Sequence, residues 1–342
     1  MVLNLIGSAL FLLALGTLYG VMGTLNMADL ARRAVESSPV QVPPLRAGGL
    51  LLMVVFGLKA AVLPLHGWLP ALYGSALAPV AALFAVMTKV GVYAMVRTAT
   101  LIFPPGGAVG TTIAAVLPLL ALLTLTAGGL GVLAADRLRT LIAALVVLSV
   151  GTLLAGIGLM TVQGIAAALY YLPHTTLVTG GLFLLAEPIA RQRGAWADRL
   201  DQGADPVVSP RLAALFFGGA VAAAGLPPLS GFIGKLLLLR SVAPAQGAWL
   251  WGVVLGSSLM SLVALSRAGN GFFWGRPPAR TVHGTVGWRP LLPATLLLAA
   301  SLLLTVAAAP ITRYAEATAR QLLGPHHYIQ AVLGTGNPGA RP

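Results

Sequence analysis

The sequence predicts an all-α fold: a polytopic transmembrane helical bundle with about nine spans, two or three of them broken helices. Three observations lead there. Of the 342 residues, 58% are hydrophobic and 8% charged, whereas a soluble domain carries about 25% charged residues. Apolar runs of roughly the 20 residues needed to cross a bilayer recur along the chain. Prolines and glycines then interrupt some of those runs. The chain has no cysteine, which removes disulfides, iron–sulfur ligation and thiol catalysis together. No redox-cofactor motif occurs, so no cofactor is expected.

The spans are expected near 2–23, 47–65, 79–101, 111–134, 139–161, 163–188, 211–239, 247–267 and 291–309. The first has no basic n-region and no small-residue cleavage site, so it reads as a span and not as a signal peptide. Between the spans lie stretches rich in proline, glycine and charge, such as ESSPVQVPPLR at 36–46 and RPPARTVHGTVGWRP at 276–290. Residues 1–310 form the transmembrane domain on this reading. The stretch from 311 to 342 mixes Arg313, Glu316 and Arg320 with Leu, Tyr and Ile, and suits an interfacial helix followed by a loose tail.

A net charge of +13 would suggest a nucleic-acid partner in a soluble protein. Here the arginines flank apolar runs, and no basic stripe interleaves with aromatics. The bilayer is the expected partner, and nucleic acid is not. The stretches 134–139, 189–211 and 267–290 hold ten arginines against eight elsewhere, which places them on the cytoplasmic side. Trp68, Trp249, Trp251 and Trp288 read as interfacial anchors. Glu187 and Asp136 lie at span ends, where arginines are close enough to pair with them.

Lysine is distributed differently. Of 21 Lys and Arg residues only three are lysines, and Lys59, Lys89 and Lys235 all lie inside apolar segments. Arginine stays charged in essentially any protein environment, whereas a buried lysine can release its proton. A lysine near a span end can also snorkel to the interface. Three of three inside apolar spans, beside helix breaks, favour a functional role facing a hydrated interior.

The breaks are expected at VLPLHGWLP, where Pro64 and Pro70 each remove a backbone donor, and at AAAGLPPLSGFIGK, where Pro227 and Pro228 do so among glycines. Lys59 would then stand near a half-helix C-terminus and Lys235 near a half-helix N-terminus. His174 lies in mid-span directly after Pro173. Imidazole titrates near neutral pH, so it is a candidate proton relay; packing is the alternative. His66 follows Pro64 nearer an interface, and relay and structural roles stay open. His283, His326 and His327 fall in loop or tail. No pair of histidines has metal-ligand context, and no metal site is expected.

Taken together, the stretch from Lys59 to Pro70, Ala78-Pro79-Val80, Thr88-Lys89-Val-Gly-Val-Tyr93 and AGLPPLSGFIGKLLLL at 224–239 resemble the antiporter-like membrane subunits. That family includes the pumping subunits of respiratory complex I and the A-type and D-type subunits of Mrp cation/proton antiporters. GTLNMADLA at 23–31, SRAGNGFFW at 266–274 and the YIQAVLG stretch at 328–334 are most similar to the D-type subunits, of the Mrp or Pha class. The resemblance runs over essentially the whole chain.

It implies that Lys59, Lys89, His174 and Lys235 form a polar proton-carrying chain midway through the membrane. The implied function is that of one subunit in a hetero-oligomeric Na⁺ or K⁺/H⁺ antiporter, multi-pass in a bacterial inner membrane, with no enzymatic chemistry of its own. It also implies about five further helices upstream, one bearing a glutamate that pairs with the counterpart of Lys59. No residue of this sequence is expected to play that part. An upstream start, a remnant and a second chain carrying those helices all stay open. Two rival functions also stay open: a proton-pumping subunit of a redox-driven complex, and a non-conducting scaffold.

Overall fold

The computed structural model describes residues 2–200, 209–242, 244–274 and 287–334. The expected loose tail from 335 onward, His283 and the flanking Arg276 and Arg280 lie outside the described residues.

The regular structure among the described residues is helical, with only an isolated bridge between Arg137 and Arg199 in extended pairing. The helices are α1 (Val2–Met22), α2 (Met27–Val35), α3 (Val42–Ala60), α4 (Trp68–Ser75), α5 (Ala78–Arg97), α6 (Ala108–Ala134), α7 (Leu138–Gly158) and α8 (Val162–Gln192). They continue as α9 (Pro210–Ala224), α10 (Ser230–Arg240), α11 (Pro244–Phe273), α12 (Leu292–Val306), α13 (Ala308–Leu323) and α14 (His326–Leu333).

Seven helical stretches among the described residues are long and apolar enough to cross a membrane. Two of the expected nine differ, for physical reasons. The span expected at 163–188 is the 31-residue α8, whose run YYLPHTT dilutes its hydropathy. The span expected at 211–239 is divided into α9 and α10 by residues 225–229. The segment expected to begin at 311 starts as α13 at Ala308.

The prolines act according to position. Pro227 and Pro228 lie in the gap between α9 and α10, and Pro64 lies in the turn that ends α3. Pro70 is not a break: it sits in the first turn of α4, where a missing N–H costs nothing because no carbonyl precedes it in the helix. Pro118, Pro173 and Pro188 lie inside continuous helices.

The centre of the bundle is α7. Its composition is apolar all round, the pattern of a helix with no solvent or lipid face, and every residue from Leu141 to Gly158 is buried. It packs closely on α6 because glycines remove the obstacle: a Cβ on Gly128 would stand 2.5 Å from the backbone N of Leu148, and one on Gly151 2.5 Å from that of Leu125.

Polar contacts mark the two ends of the bundle. At one end Arg46 of α3 donates to the carbonyl of Ala108 at 3.3 Å, and the α2, α13 and α14 helices gather there. At the other, Arg139 at the start of α7 pairs with Glu187 near the end of α8 at 2.5 Å, and Glu187 also takes Arg191 at 3.0 Å. Arg267 of α11 donates to the carbonyls of Leu133 and Ala135 at that same end, at 3.0 and 3.2 Å. Successive spans therefore alternate in direction.

Candidate functional site

Lys59 is the penultimate residue of α3. The helix stops because Ala61 turns into the left-handed region (φ 59°), and Val62 N–H donates to Gly57 O at 2.9 Å. The indole of Trp68 donates to Leu58 O at 3.1 Å, and Thr124 of α6 accepts from Leu63 N–H at 3.1 Å. Side chains thus satisfy backbone groups that the broken helix exposes. Trp68, expected as an interfacial anchor, is here part of that closure. Lys59 itself is half-buried, and its ammonium donates to the amide oxygen of Asn4 on α1. No carboxylate was expected to pair with it, yet a neutral polar partner exists.

Lys89, in the middle of α5, is 2% exposed, and its Nζ donates to Ser149 Oγ of α7 at 3.1 Å. Ser149 in turn donates to Val146 O at 2.7 Å, which leaves its oxygen lone pairs for the lysine.

His174, in the middle of α8, is 1% exposed. Its Nδ1 lies 2.8 Å from Ser230 Oγ, the first residue of α10, and Ser230 donates to Ser301 O of α12 at 3.0 Å. With the hydroxyl proton spent on Ser301, Nδ1 is the donor in the His174–Ser230 bond. Tyr171 lies one turn back with its ring centroid 5.4 Å from the imidazole.

Lys235 is 6% exposed. Its Nζ donates to Ala224 O, the last residue of α9, at 2.8 Å, and to Ser258 Oγ of α11 at 2.9 Å. It stands in the middle of the 11-residue α10 and not at the helix start where it was expected, and the side chain reaches back across the break to the carbonyl end of α9. The carbonyl end of α9, where the helix dipole is negative, therefore meets the ammonium.

Two glycines make room at this break. Gly225 holds φ +79°, and a Cβ there would stand 2.9 Å from Lys235 Nζ. A Cβ on Gly231 would stand 2.3 Å from Ala222 O and 2.8 Å from His174 Nε2. His174 and Lys235 thus occupy space that these glycines leave free. A gap of about 10 Å³ lies between Ser149 and His174, with Thr175 and Thr179 in its wall. That is the order of size that holds one water molecule.

The fold thus brings Ser149, the hydrogen-bond partner of Lys89, and His174 to one small gap, and His174 and Lys235 to one helix break. Lys59 stands apart, bonded to α1. His66 is not joined to the group: it sits in the Leu65–Gly67 turn, half-buried, with Nδ1 buried and without a hydrogen-bond partner. Among the described residues none of the three lysines is paired with a carboxylate, and no three His, Cys, Asp or Glu side chains cluster as a metal-ligand set. Sequence reasoning did not single out Asn4, Ser149, Ser230 or Ser258. The available signal was a polar residue inside an apolar run, one that many threonines and serines here share.

Residues 1–261 match the family model for the transmembrane part of NADH:quinone oxidoreductase and Mrp antiporter subunits. The chain belongs to this family. Among its relatives is the D subunit of a probable K⁺/H⁺ antiporter from Rhizobium meliloti, 36% identical, aligned over 99% of this chain and 68% of its own length. The D subunit of the Na⁺/H⁺ antiporter of Bacillus subtilis is 37% identical, over 97% of this chain and 66% of its own. This antiporter-family chain therefore spans about two thirds of the length of the curated relatives it matches. Its fold is similar to a chain of the Mrp complex from Dietzia sp. (TM-score 0.84, 26% identity, 97% of this chain and 68% of that one). It is also similar to a chain of respiratory complex I from Thermus thermophilus (TM-score 0.77, 28% identity, 94% and 68%).

Proposed function

We propose that this chain belongs to a multisubunit Na⁺ or K⁺/H⁺ antiporter and conducts protons through Lys59, Lys89, His174 and Lys235. The observation that carries the reading is the set of neutral partners. Each ammonium is held by an amide, a hydroxyl or a carbonyl, and not by a carboxylate. A neutral hydrogen-bond partner supports a lysine without locking its proton in place by an ion pair. His174 can accept a proton at one ring nitrogen and release one from the other, which suits a relay between the Lys89 side and the Lys235 side. His66 stands at the turn after Lys59 as a further carrier in this scheme.

On this reading α8 and the divided α9–α10 pair also cross the bilayer, which brings the spans to nine. The segment from 311 to 334 lies at the membrane surface, the protein is multi-pass in the bacterial cell membrane, and other antiporter subunits complete the assembly. The names of the D-type relatives support this assignment. The likeness to complex I favours a second reading, a proton pump powered by redox chemistry in partner subunits.

Everted membrane vesicles containing the assembled complex separate the two. With an imposed inside-acid pH gradient, addition of Na⁺ or K⁺ dissipates the gradient if the chain serves an antiporter. Proton uptake started by NADH or another electron donor, with no response to either cation, would overturn that reading in favour of the second.

A further inference from the structure

We propose that the groove between α5 and α8 is a binding site for one anionic phospholipid, with its phosphate on Arg97. Two apolar crevices, of about 360 and 390 Å³, lie along this face and share Tyr93 and Leu172. The first is walled by side chains such as Val96, Ile157 and Leu169 and opens at Arg97; the second continues down α5 to Lys89 and Pro173. Arg97 and Lys89 are eight residues apart on one helix, which is roughly 12 Å of helix axis. The groove is therefore long and apolar enough for an acyl chain.

The end at Arg97 is built for an anion. This residue ends α5, about one turn before the apolar span closes at Ile102. Its Nη1 donates to Tyr93 Oη at 2.8 Å, and the guanidinium lies 5.7 Å from the ring centre of Tyr93 and 5.9 Å from that of Tyr328. Its Nε is buried and has no hydrogen-bond partner. Among the described residues no carboxylate pairs with Arg97; Glu316 of α13 is taken by Arg320 at 3.3 Å. The Gln321 amide, also of α13, lines the same crevice and adds a donor, whereas the Thr318 hydroxyl beside it donates to Tyr314 O at 2.9 Å. A fixed positive charge with free donors, two aromatic faces and an apolar channel beneath matches a lipid phosphodiester and its acyl chain. A zwitterionic headgroup would bring its own ammonium toward Arg97 and lose much of that complementarity.

The test is native mass spectrometry of the delipidated assembled complex, with phosphatidylglycerol, phosphatidylcholine or glycerol 3-phosphate added in turn. The wild type should retain one more phosphatidylglycerol than the variant Arg97→Gln, with an apparent affinity about tenfold higher. Leu172→Trp, which narrows the groove and leaves Arg97 in place, should lose the same lipid. Equal retention of phosphatidylcholine overturns the proposal, as does wild-type retention of phosphatidylglycerol in both variants. Binding of glycerol 3-phosphate as tight as that of the lipid also overturns it, because the site would then read a free phosphate.

Discussion

Lys235 Nζ and the carbonyl oxygen of Ala224 lie 2.8 Å apart across the break between α9 and α10. The carbonyl is one of those a helix end leaves unsatisfied, and the ammonium is one that an apolar environment leaves unsolvated. Each supplies what the other lacks. The break is thereby tied to the charge beside it, and a change at either is felt at both.

Gly231→Ala should be destabilising for that reason. The new methyl would meet Ala222 O and His174 Nε2, and neither backbone nor a packed imidazole yields at low cost. Overpacking of this kind costs about 1–3 kcal/mol. A lowered melting temperature of the purified protein, with Gly252→Ala as a control whose added Cβ meets nothing within 4 Å, checks it.

Ser149→Ala should slow cation-dependent proton movement without unfolding the protein. It removes the hydroxyl that Lys89 contacts at 3.1 Å, and a hydrogen bond to a charged group is worth about 1.5–3 kcal/mol. Exchange in vesicles should fall roughly tenfold or more. Ser149→Thr, which keeps a hydroxyl, should recover part of the loss.

Outside the long apolar helices, Asp29 joins Arg33 and Arg32 on α2, at 2.9 and 2.8 Å. Hydrogen bonds from Arg33, then Arg32, hold its carboxyl below the usual aspartate value. Because the folded value is the depressed one, the carboxylate supports α2 fully above the ordinary value. That support is lost as the pH falls through the folded value. A carbon-13 NMR titration should place the Asp29 midpoint below that of a free aspartate, and Arg33→Gln should move it upward.

Much of this arrangement was legible in the sequence. An ammonium in an apolar run must turn inward, so the burial of Lys89 and Lys235 follows from their neighbours alone. The divided helix at 225–229 was legible because Gly225, Pro227 and Pro228 act together there. Pro70 misled because a proline reads alike whether it ends one helix or begins the next. The partners were hidden for a different reason. Most serines and threonines in these helices bond a carbonyl one turn back, as Thr126 and Thr176 do. Only tertiary packing selects Ser149, Ser230 and Ser258 to meet a titratable group. Asn4 was hidden in the same way, because its role depends on α1 lying against α3.

The most direct test of proton conduction is to replace Lys59, Lys89 and Lys235 singly with arginine and measure cation-dependent proton release from vesicles holding the assembled complex. Arginine keeps the positive charge but does not give up its proton. Loss of exchange in the Arg variants is the predicted result. Wild-type exchange in all three would contradict the account, because a chain of fixed charges cannot hand protons along.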